Sequence, residues 1–155
     1  MIRTVAIFAI CCVFTLMQAA QLHAASPELI NKLEESITSS PKIEKINDGH
    51  FKLSVDRRDG NGKMTLVSQT LPGGGHAFGV EASYVVGAVE SNYPLDTPCE
   101  VFLVSSKGDG SVDVIKKWNC IAFTSTMESF VNDKAKIQQV FDRLVEEAGE
   151  LMQVK

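Results

Sequence analysis

Cys99 and Cys120 constrain the fold more than any other feature of the sequence, because they stand at equal distances from the dipeptide Asp109-Gly110. Apolar residues recur on both sides of this dipeptide, and Asp-Gly is typical of a two-residue type I′ hairpin turn. With that turn, Cys99 lies directly opposite Cys120 at a non-hydrogen-bonded position, where opposed Cα atoms are about 4.5 Å apart. A disulfide accepts this separation. The sequence therefore predicts a β-hairpin joined by one disulfide.

The same register sorts the apolar residues of this hairpin onto two faces. The cysteine face carries Val101, Leu103, Val112, Val114 and Trp118, and the other face carries Phe102, Val104, Ile115, Ile121 and Phe123. Because both faces are apolar, we expect the hairpin to be central in its sheet and covered on two sides, by a strongly coiled half-barrel or by a second molecule.

The first 25 residues have the layout of a secretory signal peptide. A positive charge at Arg3 precedes an apolar run over residues 5–17, which is too short to span a bilayer. Small residues follow at Ala24 and Ala25, and cleavage after either residue is compatible with the sequence. The prediction is a signal peptide over 1–25 and a single domain over 26–155, periplasmic or secreted, with an uncleaved membrane-anchoring helix as the alternative.

The mature chain is acidic and retains two of the four cysteines. Its net charge is −5, because the full chain carries −4 and Arg3 is the only charged residue in the first 25. This balance argues against nucleic acid or an anionic membrane as a partner, since both need concentrated positive charge. An even pair of cysteines in an exported chain favours the Cys99–Cys120 disulfide. The alternative, a reactive cysteine, needs a partner such as His76 and no bonded mate.

The rest of the chain predicts an α+β sandwich, in which terminal helices cover an antiparallel meander of five or six strands. A helix begins near Ser26 and Pro27 with an apolar stripe at Leu29, Ile30, Leu33 and Ile37. Strands follow over 42–46, 50–56, 64–71 and 77–91, and the last of these has a bulky face and a small-residue face. Small residues on a strand face usually let a helix or another backbone approach closely.

A long helix ends the chain, and it starts either at a capping box from Ser125 to Glu128 or at Asn132 or Asp133. One apolar stripe of this helix faces the core, and the opposite face is charged. The predicted core stripe contains Ile137, Val140, Phe141, Leu144, Ala148, Leu151 and Met152, and the predicted solvated face contains Asp142, Glu146, Glu147 and Glu150 with Lys134, Lys136 and Arg143.

No motif in the sequence indicates catalysis or a metal site. Residues 59–62 resemble the middle of an EF-hand loop, but Arg57 and Ser68 stand where the first and twelfth ligands belong. We expect a hairpin turn there, centred on Asp59-Gly60. His50 and His76 are the only mature histidines and lack metal-ligand spacing, and no Gly-x-Ser-x-Gly elbow occurs. We predict no catalytic residues, no metal and no cofactor.

The segment LPGGGHAFG, residues 71–79, is the candidate recognition loop. It carries three successive glycines, Gly73, Gly74 and Gly75, and then His76 and Phe78. Glycines leave backbone donors and acceptors accessible, while histidine and phenylalanine are suitable interface anchors. The alternative is that the loop is only a flexible hairpin connection.

These features predict an exported, non-enzymatic protein-binding protein. At the level of class only, a small acidic domain with one disulfide is similar to inhibitors or immunity proteins that block a cell-wall hydrolase or a toxin. Either the glycine loop or an acidic edge of Asp56, Asp59 and Glu81 then occludes a basic cleft of the partner. The alternative is a carrier that binds a small ligand or lipid between the helices and the small-residue strand face. A homodimer is compatible with both functions.

Overall fold

The computed structural model describes residues 25–85, 98–120 and 134–154. These ranges contain an antiparallel six-stranded sheet, in which the strands follow one another in chain order, and two helices. The elements are α1 Pro27–Ser39, β1 Glu44–Asn47, β2 His50–Asp56, β3 Lys63–Thr70, β4 His76–Val85, β5 Pro98–Ser105, β6 Val114–Cys120 and α2 Lys134–Leu151. The predicted meander with an N-terminal and a C-terminal helix is thus confirmed. The proposed capping box of the last helix lies outside the described residues.

Both helices pack on one face of the sheet, which we call the core face. The α1 stripe of Ile30, Leu33 and Ile37 is fully buried, as the helical spacing predicts. On α2, Phe141 meets Phe78 of β4 edge to face, with ring centroids 6.3 Å apart. The buried residues that the strands supply are Leu53, Met64, Leu66, Phe78, Val80, Ala82, Cys99, Val101 and Leu103. None of the described helices is long and apolar enough to cross a membrane.

The helices lie on the bulky face of β4, and not on the small-residue face with which the carrier alternative paired them. Phe78 and Val80 point into the core, whereas Gly79 belongs to the opposite face, which we call the open face. The physical reason is area: bulky side chains bury far more apolar surface under a helix than glycine and serine do. The small residues are therefore left for the open face.

The β5–β6 hairpin has the predicted cysteine register but not the predicted turn. Cys99 pairs with Cys120, and the strands end at Ser105 and resume at Val114, so an eight-residue loop replaces the two-residue turn. The register shifts by one between Phe102 and Leu103. The longer loop shifts the register by one residue, and the β-bulge shifts it back by one residue. Cys99 therefore still pairs with Cys120.

The bulge exchanges two side chains between the faces. Ile115 pairs with Leu103 and packs against the core, whereas Val114 pairs with Val104, which lies on the open face. The sequence prediction had these two residues the other way round, because it carried one register through the whole hairpin.

Two aspartates shape the loop over residues 106–113. Asp109 Oδ1 accepts hydrogen bonds from the backbone N–H of Ser111 at 2.9 Å and from the Ser105 hydroxyl at 3.2 Å. Asp113 accepts the backbone N–H of Ser106 at 2.8 Å and also the Ser106 hydroxyl. Burial alone would raise the pKa of Asp113, but these hydrogen bonds outweigh burial and lower it. Side-chain hydrogen bonds thus replace the backbone turn that Asp109-Gly110 predicts.

Two acids of α2 do not belong to its solvated face. The Asp142 side chain is buried, and its Oδ1 accepts the Ala25 backbone N–H at 2.7 Å. Glu147 accepts two hydrogen bonds from Arg57, at 2.7 and 2.8 Å, and the Arg57 side chain is only 9% exposed. The helical spacing locates these residues at the boundary of the stripe, and only the packing shows that they face inward.

Candidate functional site

The open face of the sheet carries the candidate functional site. Cross-strand pairing arranges its residues in rows that run across the sheet, and two of these rows are central. One row is Lys52, Val67, Gly79, Val104 and Val114, and the next is Ser54, Thr65, Glu81, Phe102 and Lys117. The apolar residues of these rows, Val67, Gly79, Val104, Val114 and Phe102, are neighbours, with polar residues beside them, and no described helix covers them.

A groove of about 340 Å³ lies on the open face. Its apolar residues are Val67, Ala77, Gly79, Phe102 and Val104, and its surroundings are Ile46, His50, Lys52, Thr65, Gln69, Glu81 and Lys116. All six strands contribute to this lining. The groove therefore runs across the width of the described sheet.

Gly79 sets the depth of the groove. A Cβ atom at this position would lie 2.9 Å from Phe102 Cε2 and 3.2 Å from Val104 Cγ2. The two larger side chains therefore fold over the glycine and form the floor. Glycine in a strand interior often marks such a close approach.

The rim of the groove carries basic residues at both ends and an exposed apolar residue. Lys52 and His50 line it from β2, and Lys116 lines it from β6. Ile46, on β1, is the one large hydrophobic residue in the described ranges that is strongly exposed, at 49%. An apolar floor with a polar, partly cationic rim is the general layout of protein interfaces and of ligand sites.

The predicted acidic edge lies next to this groove, but lysines accompany its acids. Glu81 is on the rim, and its Oε1 is 3.8 Å from Lys117 Nζ, which is also 2.5 Å from Glu100. Hydrogen bonding to Glu100 raises the pKa of Lys117, so this lysine keeps its charge. Asp56, at the end of β2, is 3.9 Å from Lys63. The backbone at Asp59 lies in a 3-10 turn over Arg58–Gly60, and Gly60 has φ +72°.

The register of the β2–β3 hairpin is as predicted, since Val55 pairs with Met64. The turn centred on Asp59-Gly60 is closed by hydrogen bonds from Asn61 N–H to the Arg58 carbonyl and from Arg57 N–H to the Gly62 carbonyl. Within the described ranges, no group of three or more His, Cys, Asp and Glu is arranged to hold a metal ion.

The glycine loop connects β3 to β4 at the other end of the sheet. Gly73, Gly74 and Gly75 are exposed, and the loop is closed by hydrogen bonds between Leu71 and the last two of them, at 3.1 and 2.6 Å. Positive φ angles of +101° at Gly73 and +92° at Gly74 explain why glycine is needed. Strand β3 separates this loop from the Asp59 turn by roughly 23 Å, so the two predicted recognition elements do not form one site.

His76 and Phe78 turn towards the helix side. Phe78 is fully buried against Phe141, which makes it a core residue and removes it from the accessible surface. His76 is exposed and its charge acts on Glu34 of α1. Burial raises the pKa of Glu34, while His76 and the Ser68 hydroxyl at 3.3 Å oppose that rise. The loop therefore offers one accessible anchor, His76, and it faces away from the groove.

The groove residues were not among the predicted site residues, although the sequence contains a signal for them. Phe102 and Val104 are on the second apolar face of the predicted hairpin, and Val67 alternates with buried residues of β3. A second apolar face that helices do not cover is the pattern that indicates such a site. No protein-family model, curated protein or solved structure matches this chain.

Proposed function

We propose that the protein is an exported protein-binding protein and that the open face of its sheet is the binding surface. It acts without chemistry of its own, as an inhibitor or immunity-type protein that occludes the active site of a hydrolase or toxin. The observation that carries this proposal is the apolar groove that runs from Ile46 to Lys116 across the open face.

The groove supports this function because it has the composition of an interface centre. Phe102 supplies a half-buried aromatic side chain, and interface energy is concentrated in such central, water-excluded residues. Lys52 and Lys116 stand at the two ends of the groove, on β2 and β6, which matches the polar rim of known interfaces.

The acids around the groove contribute orientation more than affinity. Glu81 and Asp56 already have lysine neighbours, so a basic cleft must compete with Lys117 and Lys63 for them. Exposed pairs of this kind contribute little stability and are screened by salt. We therefore propose that the apolar groove provides most of the affinity, and that the charged rim orients the partner during association.

To test the proposal, the mature protein is immobilised, and the periplasmic and secreted fractions of the source organism are passed over it. The measurement is which partner the column retains. Three columns carry the wild type, Val67→Glu in the groove and Gln139→Glu on the exposed side of α2. Both variants add one negative charge, which makes the second a matched control. We expect wild type and Gln139→Glu to retain one hydrolase or toxin in equal stoichiometry and to inhibit it. Retention by Val67→Glu as well, or retention of nothing except the protein itself, contradicts the proposal.

A carrier function is the second candidate, and the size of the groove favours it. At about 340 Å³ the groove lies within the range of small-molecule sites. An apolar floor beside Lys52 and Lys116 suits an apolar molecule with an anionic group. Native mass spectrometry of the protein purified from its own cells separates the two functions. A carrier retains a small mass that Val67→Glu lacks, whereas an inhibitor retains none.

The compartment and the disulfide are part of the same proposal. Export to the periplasm or to the medium provides the oxidising conditions in which Cys99 and Cys120, paired across β5 and β6, form a bond. Such a bond contributes about 2–4 kcal/mol. The intact mass of the exported protein, measured before and after reduction and alkylation, shows whether the disulfide is present. Two free thiols before reduction contradict the disulfide. A homodimer through the open face is a further arrangement that sedimentation of the purified protein tests.

A further inference from the structure

We infer that the signal peptide is cleaved between Ala24 and Ala25, and that the new α-ammonium group of Ala25 docks in a socket around Asp142. The sequence leaves Ala24 and Ala25 equally suitable as the last residue removed. The packing of Ala25 distinguishes them. This inference rests on the export step of the proposed function, and it does not depend on the binding surface.

Ala25 is buried, at 6% exposure, and its backbone nitrogen is the donor to Asp142. The N–H of Ala25 lies 2.7 Å from Asp142 Oδ1, across 117 positions of the chain. Asp142 itself is 9% exposed. A carboxylate at this depth is costly unless charged or hydrogen-bonding groups surround it.

Gln138 completes the socket from one turn earlier on α2. Its Nε2 donates to Asp142 Oδ1 and to the Gly110 carbonyl, both at 2.7 Å. Its Oε1 accepts the Val112 N–H at 2.8 Å. One glutamine thus fixes the carboxylate of Asp142 relative to the 106–113 loop.

Gly110 closes the socket over Ala25. A Cβ atom on Gly110 would stand 2.0 Å from the Ala25 carbonyl oxygen, and its φ is +88°. Only glycine fits this position without displacing Ala25. This contact explains the glycine of the Asp109-Gly110 dipeptide, which predicted a hairpin turn.

Hydrolysis of the Ala24–Ala25 peptide bond by a signal peptidase consumes one water. It leaves a carboxylate on Ala24 and an amine on Ala25, which takes up a proton at neutral pH. The hydrogen bond from Ala25 to Asp142 then becomes an ion pair between two buried groups, and such charge-assisted bonds are the stronger ones. Cleavage one residue later would remove Ala25 and leave the socket empty, which is why we assign the first bond.

The test has an export arm and a stability arm. The protein exported by its own host is analysed by N-terminal sequencing and intact mass, and we expect Ala25 as the first residue. Separately, a fusion protein is cut by a protease that leaves Ala25 as the first residue. The α-amine of this chain is then either left free or acetylated. Acetylation should lower the folding equilibrium constant at least tenfold in the wild type and in the control Glu146→Gln, an exposed acid of α2. In Asp142→Asn it should change that constant less than twofold.

Amine reactivity keeps the test decisive if Asp142→Asn does not fold. Each amine's acylation rate in the native wild type is divided by its rate in unfolded protein. This ratio should be at least tenfold lower for the α-amine of Ala25 than for Lys63, whose side chain is 71% exposed. Gly110→Ala should remove this protection. An exported chain that begins at Ser26 or retains its leader overturns the cleavage assignment. Equal reactivity, or the same acetylation cost in Asp142→Asn, overturns the ion pair, and neither result bears on partner binding.

Discussion

The two faces of the sheet are built from the same strands, yet their aromatic residues lie in different surroundings. On the core face, Phe78 is fully buried and meets Phe141 of α2. On the open face, Phe102 of the neighbouring strand is half-buried and folds over Gly79. Because successive side chains of a strand alternate in direction, one segment of sequence can supply a core and a surface together. The comparison teaches that apolar residues on the open face are not needed to fill the core, which leaves binding as their proposed role.

Replacing the two phenylalanines in turn gives the largest expected contrast between the faces. Phe78→Ala leaves a cavity in a closely packed core and should cost about 3–5 kcal/mol of unfolding free energy. Phe102→Ala removes a side chain that is already partly in water and should cost about 1 kcal/mol. Urea unfolding of both variants measures these costs. Equal losses would mean that the open face is as structural as the core face.

Arg57 links the sheet to α2, because it follows β2 and its guanidinium reaches Glu147. Its loss leaves the half-buried Glu147 carboxylate and the Ser83 carbonyl without their donor, so Arg57→Ala should cost about 2 kcal/mol. The neighbouring Arg58 is 68% exposed and stands 3.8 Å from Glu150. Arg58→Ala is therefore the control and should cost less than about 0.5 kcal/mol. Similar costs in thermal unfolding would show that the Arg57 pair does not tie α2 to the sheet.

Asp113 tests how far the 106–113 loop depends on side-chain hydrogen bonds. Its pKa is lowered in the folded protein, so its contribution to stability is present above the pKa of the unfolded chain and is lost as the pH falls through the folded pKa. Asp113→Asn should cost about 0.5–1 kcal/mol at pH 7, with allowance for solvent screening, and nothing at strongly acidic pH. Asp48→Asn, which changes a fully exposed aspartate in the same way, is the control substitution. A cost that stays constant with pH would exclude the charge as its cause.

Glu34 should give the smallest effect, with the opposite sign. Burial raises the pKa of its carboxyl group in the folded state, so stability declines as the pH rises through that folded pKa. Glu34→Gln removes this penalty and should stabilise the protein by up to about 0.5 kcal/mol at pH 7, with no gain near pH 3. The exposed neighbour Glu35, changed to Gln, should leave stability unchanged at both pH values. Destabilisation at pH 7 would mean that the attraction from His76 outweighs burial.

Local patterns in the sequence were sufficient to predict the element types and one register. Helical spacing located Ile30, Leu33 and Ile37 of α1, and turn residues set the pairing of Val55 with Met64. The symmetry of the cysteines about Asp109-Gly110 also predicted the pairing of Cys99 with Cys120, but this pairing holds only because the bulge offsets the longer loop. The first two features depend on neighbours in the chain or on a single hairpin, which is why composition and spacing suffice for them.

The errors arose where side-chain contacts that have no sequence period decide the outcome. The bulge after Phe102 depends on the long loop that Asp109 and Asp113 organise, and no hydrophobic period encodes it. Asp142 is buried because Ala25 and Gln138 donate to it, and the first of these lies 117 positions away. The candidate site was predicted at loops and acids, yet the groove arises from side chains of six strands that only the complete sheet brings together.

The affinity of the retained partner for two single variants tests the central claim most directly. Val67→Glu alters the open face, and His76→Ala removes the accessible anchor of the glycine loop; calorimetric titration of the partner measures both against wild type. Binding through the open face predicts that Val67→Glu weakens affinity more than tenfold and that His76→Ala changes it less than twofold. The reverse pattern would contradict the proposed binding surface and assign recognition to the glycine loop.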